Sequence, residues 1–373
     1  MLVNVINDPG TFRGLRGEWD RLLEQSPARS IFLSWEWLFY WWIHFGKGKE
    51  LHVILFRDED TKQLCGIAPF CRDEVKKYNY VNIRRMKFLG VDRVGSDFLD
   101  FIILPGREAA VFAALGRHLA AHRLLWDVVE ISDVDKRSTT TRHMREHLRK
   151  QFGYFERPGA TCPYIRLPGD YKEYIRSLSM KMRSELRKKT RKVEENRELT
   201  IVVHSPGENL MEVFDQMFVL HDKGFRYQGC GANAESSFRG EDIRRFHYDI
   251  VPGFAAAGWL TMISLMHRMT RIGSIYAFQY KDRMFCYQTG YDRRWDRWSI
   301  GTVLLGHSIK DSIARGLAEF HFLRGKEDYK SRWTSDVNKT TSITVMNRTI
   351  SGILYGSIVY GKSRLRRLVM AEE

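Results

Sequence analysis

Two stretches of this chain spell the same order of elements, and that repetition limits the fold more than any bulk property does. In the first, the apolar runs LHVILF (51–56) and LCGIAPF (64–70), split by the charged RDEDTKQ, predict a hairpin of buried strands. DFLDFIIL (97–104) predicts a third strand, Pro105-Gly106 a turn, REAAVFAALGRHLAAHRLL a helix, and WDVVEI (126–131) a fourth strand. In the second, WLTMISLMH (259–267), RIGSIYAFQY (271–280) and RMFCYQTGYD (283–292) predict three strands. GTVLLGHSIKDSIARGL (301–317) follows as a helix and AEFHFL (318–323) as a strand. The same order twice predicts two units of α/β character built on mixed sheets.

A chain of 373 residues accommodates two such units, each long enough to bury a core. The expected division is 1–165 and 166–373. IFLSWEWLFYWWIHFG (31–46) is apolar and aromatic all round, which predicts a buried helix entered at Ser34; it is too short, and too interrupted by Glu36 and His44, for a membrane span of about 20 residues. Residues 171–199 predict a basic linker helix in which Leu178, Met182 and Leu186 form a stripe surrounded by lysines and arginines. Another helix is expected over 210–229. The tail, 347–370, mixes apolar residues with Lys362, Arg364, Arg366 and Arg367; it reads as a segment docked on the second domain, with peripheral attachment to a bilayer as the alternative.

Sixty Lys and Arg against 45 Asp and Glu give a net charge of +15, which favours a polyanion, an anionic lipid surface or a phosphate-bearing cofactor as partner. The five cysteines, Cys65, Cys71, Cys162, Cys230 and Cys286, have neither paired metal-ligand spacing nor the even count of a disulfide framework. No metal is indicated. The N-terminal residues have no basic start followed by an apolar core, and a reducing cytoplasm is the expected compartment.

Two loops carry candidate chemistry. In GYDRRWDRWSIGTVLL a strand ends near Tyr291 and a helix begins near Gly301, so the amides of Ser299, Ile300, Gly301 and Thr302 are expected to meet the phosphates of a cofactor. Arg293, Arg294 and Arg297 add charge there. A routine helix start with Ser299 near the cap is the competing reading. The second loop, FLRGKEDYKSRW (322–333), crowds ionisable groups behind Gly325 at the end of a strand. There the competing reading is a salt-bridged loop in which Glu327 pairs with Arg324 or Lys330.

Taken in order, FLSWEWLFYWW, LCGIAPF, SELRKKTRKVEEN, LHDKGFRYQG, GYDRRWDRWSIGTVLL and FLRGKEDYKSRW resemble tandem GNAT-fold N-acyltransferases of the CelD-like (cellulose biosynthesis) kind, distant relatives of the Fem-type aminoacyl transferases. The resemblance covers most of the chain. It implies acyl-CoA, such as acetyl-CoA, as a co-substrate that is not permanently bound, with a sugar or polysaccharide precursor accepting the acyl group between the two domains. Under the Fem-type alternative an aminoacyl-tRNA is the donor; a non-catalytic GNAT-fold binding protein is a third reading, and DNA is not an expected partner. Acyl transfer needs a base, donors for the thioester oxyanion and an acid for the leaving thiolate. The candidates are Asp292 and Glu327 for the base, Lys330 and Arg324 for charge stabilisation, and Tyr329 or Tyr287 for the acid. His221, Tyr287 and Trp333 are candidate substrate contacts.

Overall fold

The structure, a computed structural model, describes residues 1–77, 81–204, 209–227, 238, 240–325 and 327–361. It divides into two units, Met1–Ala160 with Lys339–Glu373, and Thr161–Asn338. The expected division at 165/166 assigned the C-terminal segment to the second unit. The pairing of the last strand places it in the first.

The first unit begins with β1 (Leu2–Ile6), α1 (Pro9–Gly14), α2 (Arg16–Gln25) and α3 (Trp35–Phe45). Asp8 caps α1 by accepting from the Thr11 amide, and Ser34 caps α3 by accepting from the Trp37 amide. α3 is a core helix, as its all-round apolar sequence requires: Trp37, Leu38 and Trp41 are buried. Its one acid, Glu36, is buried too and is tolerated because Arg16 pairs with it at 2.5 Å. Next come β2 (Glu50–Arg57), β3 (Leu64–Lys77), β4 (Val81–Phe88), β5 (Ile102–Ile103), α4 (Glu108–Ala121), β6 (Val128–Asp135), α5 (Thr140–Leu148) and β7 (Gly153–Arg166), whose residues from Thr161 onward belong to the second unit.

The third long strand is β4, not 97–104, of which only Ile102 and Ile103 pair, with β3. The sequence VNIRRMKF conceals a strand because its charges look solvated. In the fold they are consumed by neighbours: Arg85 grips Asp73 through two bonds of 2.9 and 2.8 Å and Glu130 at 3.0 Å, and Arg84 grips Asp127.

The second unit continues with α6 (Tyr171–Ser177), α7 (Met180–Glu194), β8 (Leu199–Val203), α8 (Leu210–Tyr227) and α9 (Glu241–Ala256). It is completed by β9 (Leu260–His267), β10 (Thr270–Tyr280), β11 (Arg283–Tyr291), α10 (Ile300–Ala314), β12 (Glu319–His321) and α11 (Asp328–Ser331). The single helix expected over 171–199 is two helices. Leu178 is extended (φ −68°, ψ 152°), and the Ser179 hydroxyl starts α7 afresh by accepting from the Met182 amide at 3.2 Å. Nor is it a linker, since Leu178, Met182, Leu186 and Val193 belong to the core of this unit together with α10. β13 (Val337–Met346) and α12 (Ile350–Tyr360) then complete the first unit, where Tyr355 packs with Ile83, Val128 and Met346. The tail therefore docks on the first unit and not, as expected, on the second. Lys362, Arg364, Arg366 and Arg367, like Cys230, lie outside the described residues.

The two sheets share one topology. The first runs β1-β2-β3-β4-β6-β13 and the second β8-β9-β10-β11-β12-β7. In each, four strands are antiparallel, the fifth is parallel to the fourth, and a sixth runs antiparallel to the fifth. The parallel step follows from the helix that separates those strands in sequence, α4 in one unit and α10 in the other. Among the described residues no helix is long and apolar enough to cross a membrane.

What seats α10 is a glycine. A Cβ on Gly273 of β10 would stand 2.3 Å from Ile300 Cγ2 and 3.2 Å from Leu304 Cδ1, so only hydrogen fits beneath the first turn of the helix. We expect Gly273→Ala to destabilise the protein by about 1–3 kcal/mol in chemical denaturation. Ile300→Ala removes the obstructing Cγ2, so in a double-mutant cycle the pair should cost less than the sum of the two single substitutions.

Candidate active site

The second unit holds a fork in its sheet. β11 and β12 pair over Arg283↔Glu319, Met284↔Phe320 and Phe285↔His321 and no further, while β11 runs on to Tyr291. β12 parts from β11 because its continuation follows β7: Phe322 donates to the Pro163 carbonyl at 3.0 Å and Gly325 to that of Thr161 at 3.3 Å. Beyond Phe285, β11 keeps its pairing with β10, with a bulge between Tyr276 and Ala277 that leaves Tyr287 without an opposite number. The result is a strand edge facing a gap, the setting in which a carbonyl-bearing chain can lie against backbone donors.

The loop FLRGKEDYKSRW closes one side of this fork. Leu323 and Gly325 take positive φ values of 59° and 126°, and α11 then brings Tyr329 and Lys330 back towards β11. Gly325, at φ 126°, holds a conformation that a residue with a Cβ rarely adopts, so this turn needs glycine. Lys330 is 3% exposed, and its ammonium donates to the Arg324 carbonyl at 2.7 Å, the Leu323 carbonyl at 3.5 Å and Glu327 Oε2 at 2.9 Å. Three donors meet three acceptors. Lys330 thus fastens the turn, and the salt-bridged reading of Glu327 describes the geometry.

Cys286 lies at the first β11 position past the fork, and burial pushes its thiol up to about 11 against the opposing effects of Thr289 and Lys330. Tyr329 is half exposed; the protein around its phenol, then the Cys286 thiol and the Glu327 carboxylate, push its pKa above the usual tyrosine value. A phenol so placed stays protonated and can give a proton. Tyr287 lies elsewhere, in an aromatic cluster with Phe238, His247, Tyr276 and Phe278. His221 reaches the same cluster through Phe238, 5.2 Å between ring centroids, and its backbone lies against Gly290. Trp333 is a core residue packed with α6, α7 and α10, and its carbonyl accepts from Tyr174.

At the other side of the fork, Asp292 caps a short 3-10 turn, Arg293–Trp298. It accepts from the Arg294 amide at 3.0 Å and pairs with the Arg294 guanidinium at 2.5 Å, and these contacts hold its carboxyl below the usual range. That makes Asp292 a fixed anion that orients the loop. Ser299 follows in the left-handed region (φ 52°, ψ 47°), and its carbonyl accepts from Thr302 and Val303. α10 thus starts abruptly, with Ile300 buried through its side chain and Gly301 open: a Cβ there meets only Tyr291 Cε1, at 3.6 Å. Arg297 lies over the Trp298 ring, as does the Lys192 ammonium at 4.6 Å. Among the described residues the buried Arg293 Nε and Trp298 Nε1 donors have no acceptor. Unused donors around a helix N-terminus suit an anion.

Some features escaped sequence reading. Lys192, assigned only to a basic face, joins the α10 loop by donating to the Arg297 carbonyl at 3.2 Å. Glu185 of α7 pairs with both Lys189 and Arg332, tying that helix to the residue after α11. In the first unit, His143, Glu146 and His147 on α5 bring three potential metal-ligand atoms within 4.8 Å of one another, although Arg142 Nη2 stands 3.2 Å from His143 Nε2. Their i, i+3, i+4 spacing on a helix places all three on one face.

Residues 180–331 match the family model described as an acetyltransferase (GNAT) domain. This span contains α7, the β9–β11 strands, the fork and the catalytic loop candidates. Among solved structures, the chain resembles FemX, with 10% identity, a TM-score of 0.64, and coverage of 96% of this chain and 100% of that one. It also resembles L-PGS from Bacillus licheniformis, with 12% identity, a TM-score of 0.55, and coverage of 95% and 97%. A conserved protein of unknown function from Bacteroides thetaiotaomicron gives 11% identity, a TM-score of 0.57, and coverage of 92% and 100%. At such identities these likenesses establish a shared fold. A search of curated protein sequences gives no match. The second unit carries a GNAT acetyltransferase domain, and the protein is an enzyme of the acyltransferase class.

Because the Lys330 ammonium is buried and fully engaged, Lys330→Met should lower stability by about 1–3 kcal/mol, leaving two carbonyls unsatisfied. Glu327→Gln, at a half-exposed position, should change the melting temperature little in the same thermal denaturation experiment.

Proposed function

We propose that the second unit transfers an acyl group from acyl-CoA to an amine or hydroxyl of a sugar, polysaccharide precursor or related small acceptor. The observation that carries this reading is the fork beyond Phe285 and His321, which lies beside the open N-terminus of α10. One feature suits a thioester arm and the other its pyrophosphate. The CelD-like resemblance noted in the sequence supports the choice of acceptor class.

In this mechanism the donor's phosphates sit at the amides of Ile300 and Gly301, with Arg293, Arg297 and Lys192 supplying positive charge; the Ser299 and Thr302 amides, expected from the sequence to join them, donate instead to the carbonyls of Asp296 and Ser299. The thioester carbonyl lies along the edge of β11. The acceptor nitrogen or oxygen attacks that carbon, a C–N or C–O bond forms, the C–S bond breaks, and the thiolate takes a proton from Tyr329. The acceptor's own proton leaves through water or to Glu327. Lys330 holds Glu327 and the loop in place, so it acts as a positioning residue. Asp292 fixes Arg294 and the entry to α10. Most of the rate advantage comes from holding donor and acceptor together.

A second reading, with aminoacyl-tRNA as donor, is favoured by the exposed Lys181, Arg187, Lys188, Arg191 and Lys192 on α7. It accords with the Fem-type resemblance. The two readings separate in one experiment. Under the first, acetyl-CoA raises the melting temperature, because a ligand bound only to the native state stabilises it. Gly301→Trp should then weaken that binding on the order of tenfold without unfolding the protein. tRNA retention that falls steeply with salt, in the absence of any CoA effect, overturns the first reading in favour of the second.

Tyr329→Phe should lower kcat on the order of a hundredfold with little effect on KM for the donor. Since the phenol pKa is raised, the proton-donating form persists to higher pH. The alkaline limb of the kcat profile should therefore lie above the usual tyrosine value of about 10. A limb below it that Tyr329→Phe abolishes contradicts the assigned role.

A further inference from the structure

We propose that the first unit docks on an anionic lipid surface through an apolar face formed by α12 and the short turn Arg123–Leu125. Ile350, Ile353, Leu354 and Ile358 lie on the exposed side of α12, at i, i+3, i+4 and i+8, where a surface helix ordinarily carries polar residues. Ile350 is 81% exposed. So is Leu124, and Leu125 beside it is exposed as well. These two elements are fastened together: the Asn347 side-chain amide donates to the carbonyls of Arg123 and Trp126, both at 2.8 Å, just before α12 begins. Thr349 caps α12 through its hydroxyl, and the same hydroxyl donates to Asp127 at 2.6 Å. The two most exposed aliphatic side chains therefore project from one braced corner rather than from independent loops.

Charge selects the occupant. ISGILYGSIVY, the α12 sequence, contains no ionisable side chain that is charged at neutral pH, yet from Arg348 to Met370 the chain carries five basic residues and no acidic one. Arg348 and Arg123 are exposed at the corner itself. An exposed apolar strip with Arg123 and Arg348 exposed at its corner sets like charge against a second copy of itself and suits an acyl-chain boundary beneath anionic headgroups. Aliphatic side chains enter the interface while arginines remain at the phosphates. The proposal concerns the first unit alone and is independent of which donor the second unit uses.

The test uses the full chain and vesicles of phosphatidylcholine alone or mixed with phosphatidylglycerol. Sedimentation with the mixed vesicles but not the neutral ones is the expected result, weakening as salt is added. The double variant Leu124→Glu, Ile350→Glu should lose on the order of tenfold or more in partitioning while keeping its melting temperature, since both side chains are exposed. Arg364→Glu with Arg366→Glu should reduce binding to the mixed vesicles. The proposal is overturned if no binding to mixed vesicles occurs at low ionic strength, or if the apolar variants bind as well as the parent. It is equally overturned if light scattering shows a dimer that Ile350→Glu converts to monomer, because a second copy then covers this face.

Discussion

Only three residue pairs join β11 to β12, and the candidate active site depends on that brevity. A strand needs partners for its backbone groups, and β12 finds them on the other side: Glu319, Phe320 and His321 pair with Arg166, Ile165 and Tyr164 of β7, and Phe322 and Gly325 continue along β7. Having followed β7, the chain cannot also follow β11. The gap is therefore not a defect in packing but the consequence of satisfying one edge of β12 in preference to the other. Where a sheet opens between parallel strands next to a helix N-terminus, the strand edge and the helix dipole address the same space.

The loop that follows makes the gap chemically useful. Positive φ values at Leu323 and Gly325 reverse the chain, and the cost of that reversal is offset by the Lys330 ammonium, which collects two carbonyls and one carboxylate. The same arrangement sets Tyr329 near Cys286 and Glu327, where its phenol holds its proton. The lysine is buried where it holds the turn, and the tyrosine beside it is half exposed.

Much of the fold was legible in the sequence. β2, β3, β9, β10, β11, α4 and α10 lie where apolar periodicity places them, and Ser34 starts α3 as a serine before a buried aromatic run should. The misses share a cause. β4 reads as charged surface because Arg84 and Arg85 meet their carboxylates only after β6 and β3 have come alongside. α6 and α7 read as one helix because the Ser179 cap is a local hydrogen bond within an otherwise continuous helical pattern. The start of α10 after Ser299 was recognisable from strand–loop–helix order, whereas the pairing of Asp292 with Arg294 depends on geometry that spacing does not encode.

By itself the sequence determined that two similar mixed-sheet units form, that a helix starts near residue 300 after an arginine-rich loop, and that charged groups gather behind Gly325. These are local facts, set by hydrophobic period, capping residues and glycine's freedom at positive φ. Only the tertiary structure decided that β13 and α12 rejoin the first unit, that Trp333 and the α7 stripe belong to a core, and that Lys330 is buried while Tyr329 is not. The physical reason is that a strand's partner and a charge's counterion are chosen among residues far apart in sequence, by which backbone edges and which opposite charges the folded chain brings within bonding distance.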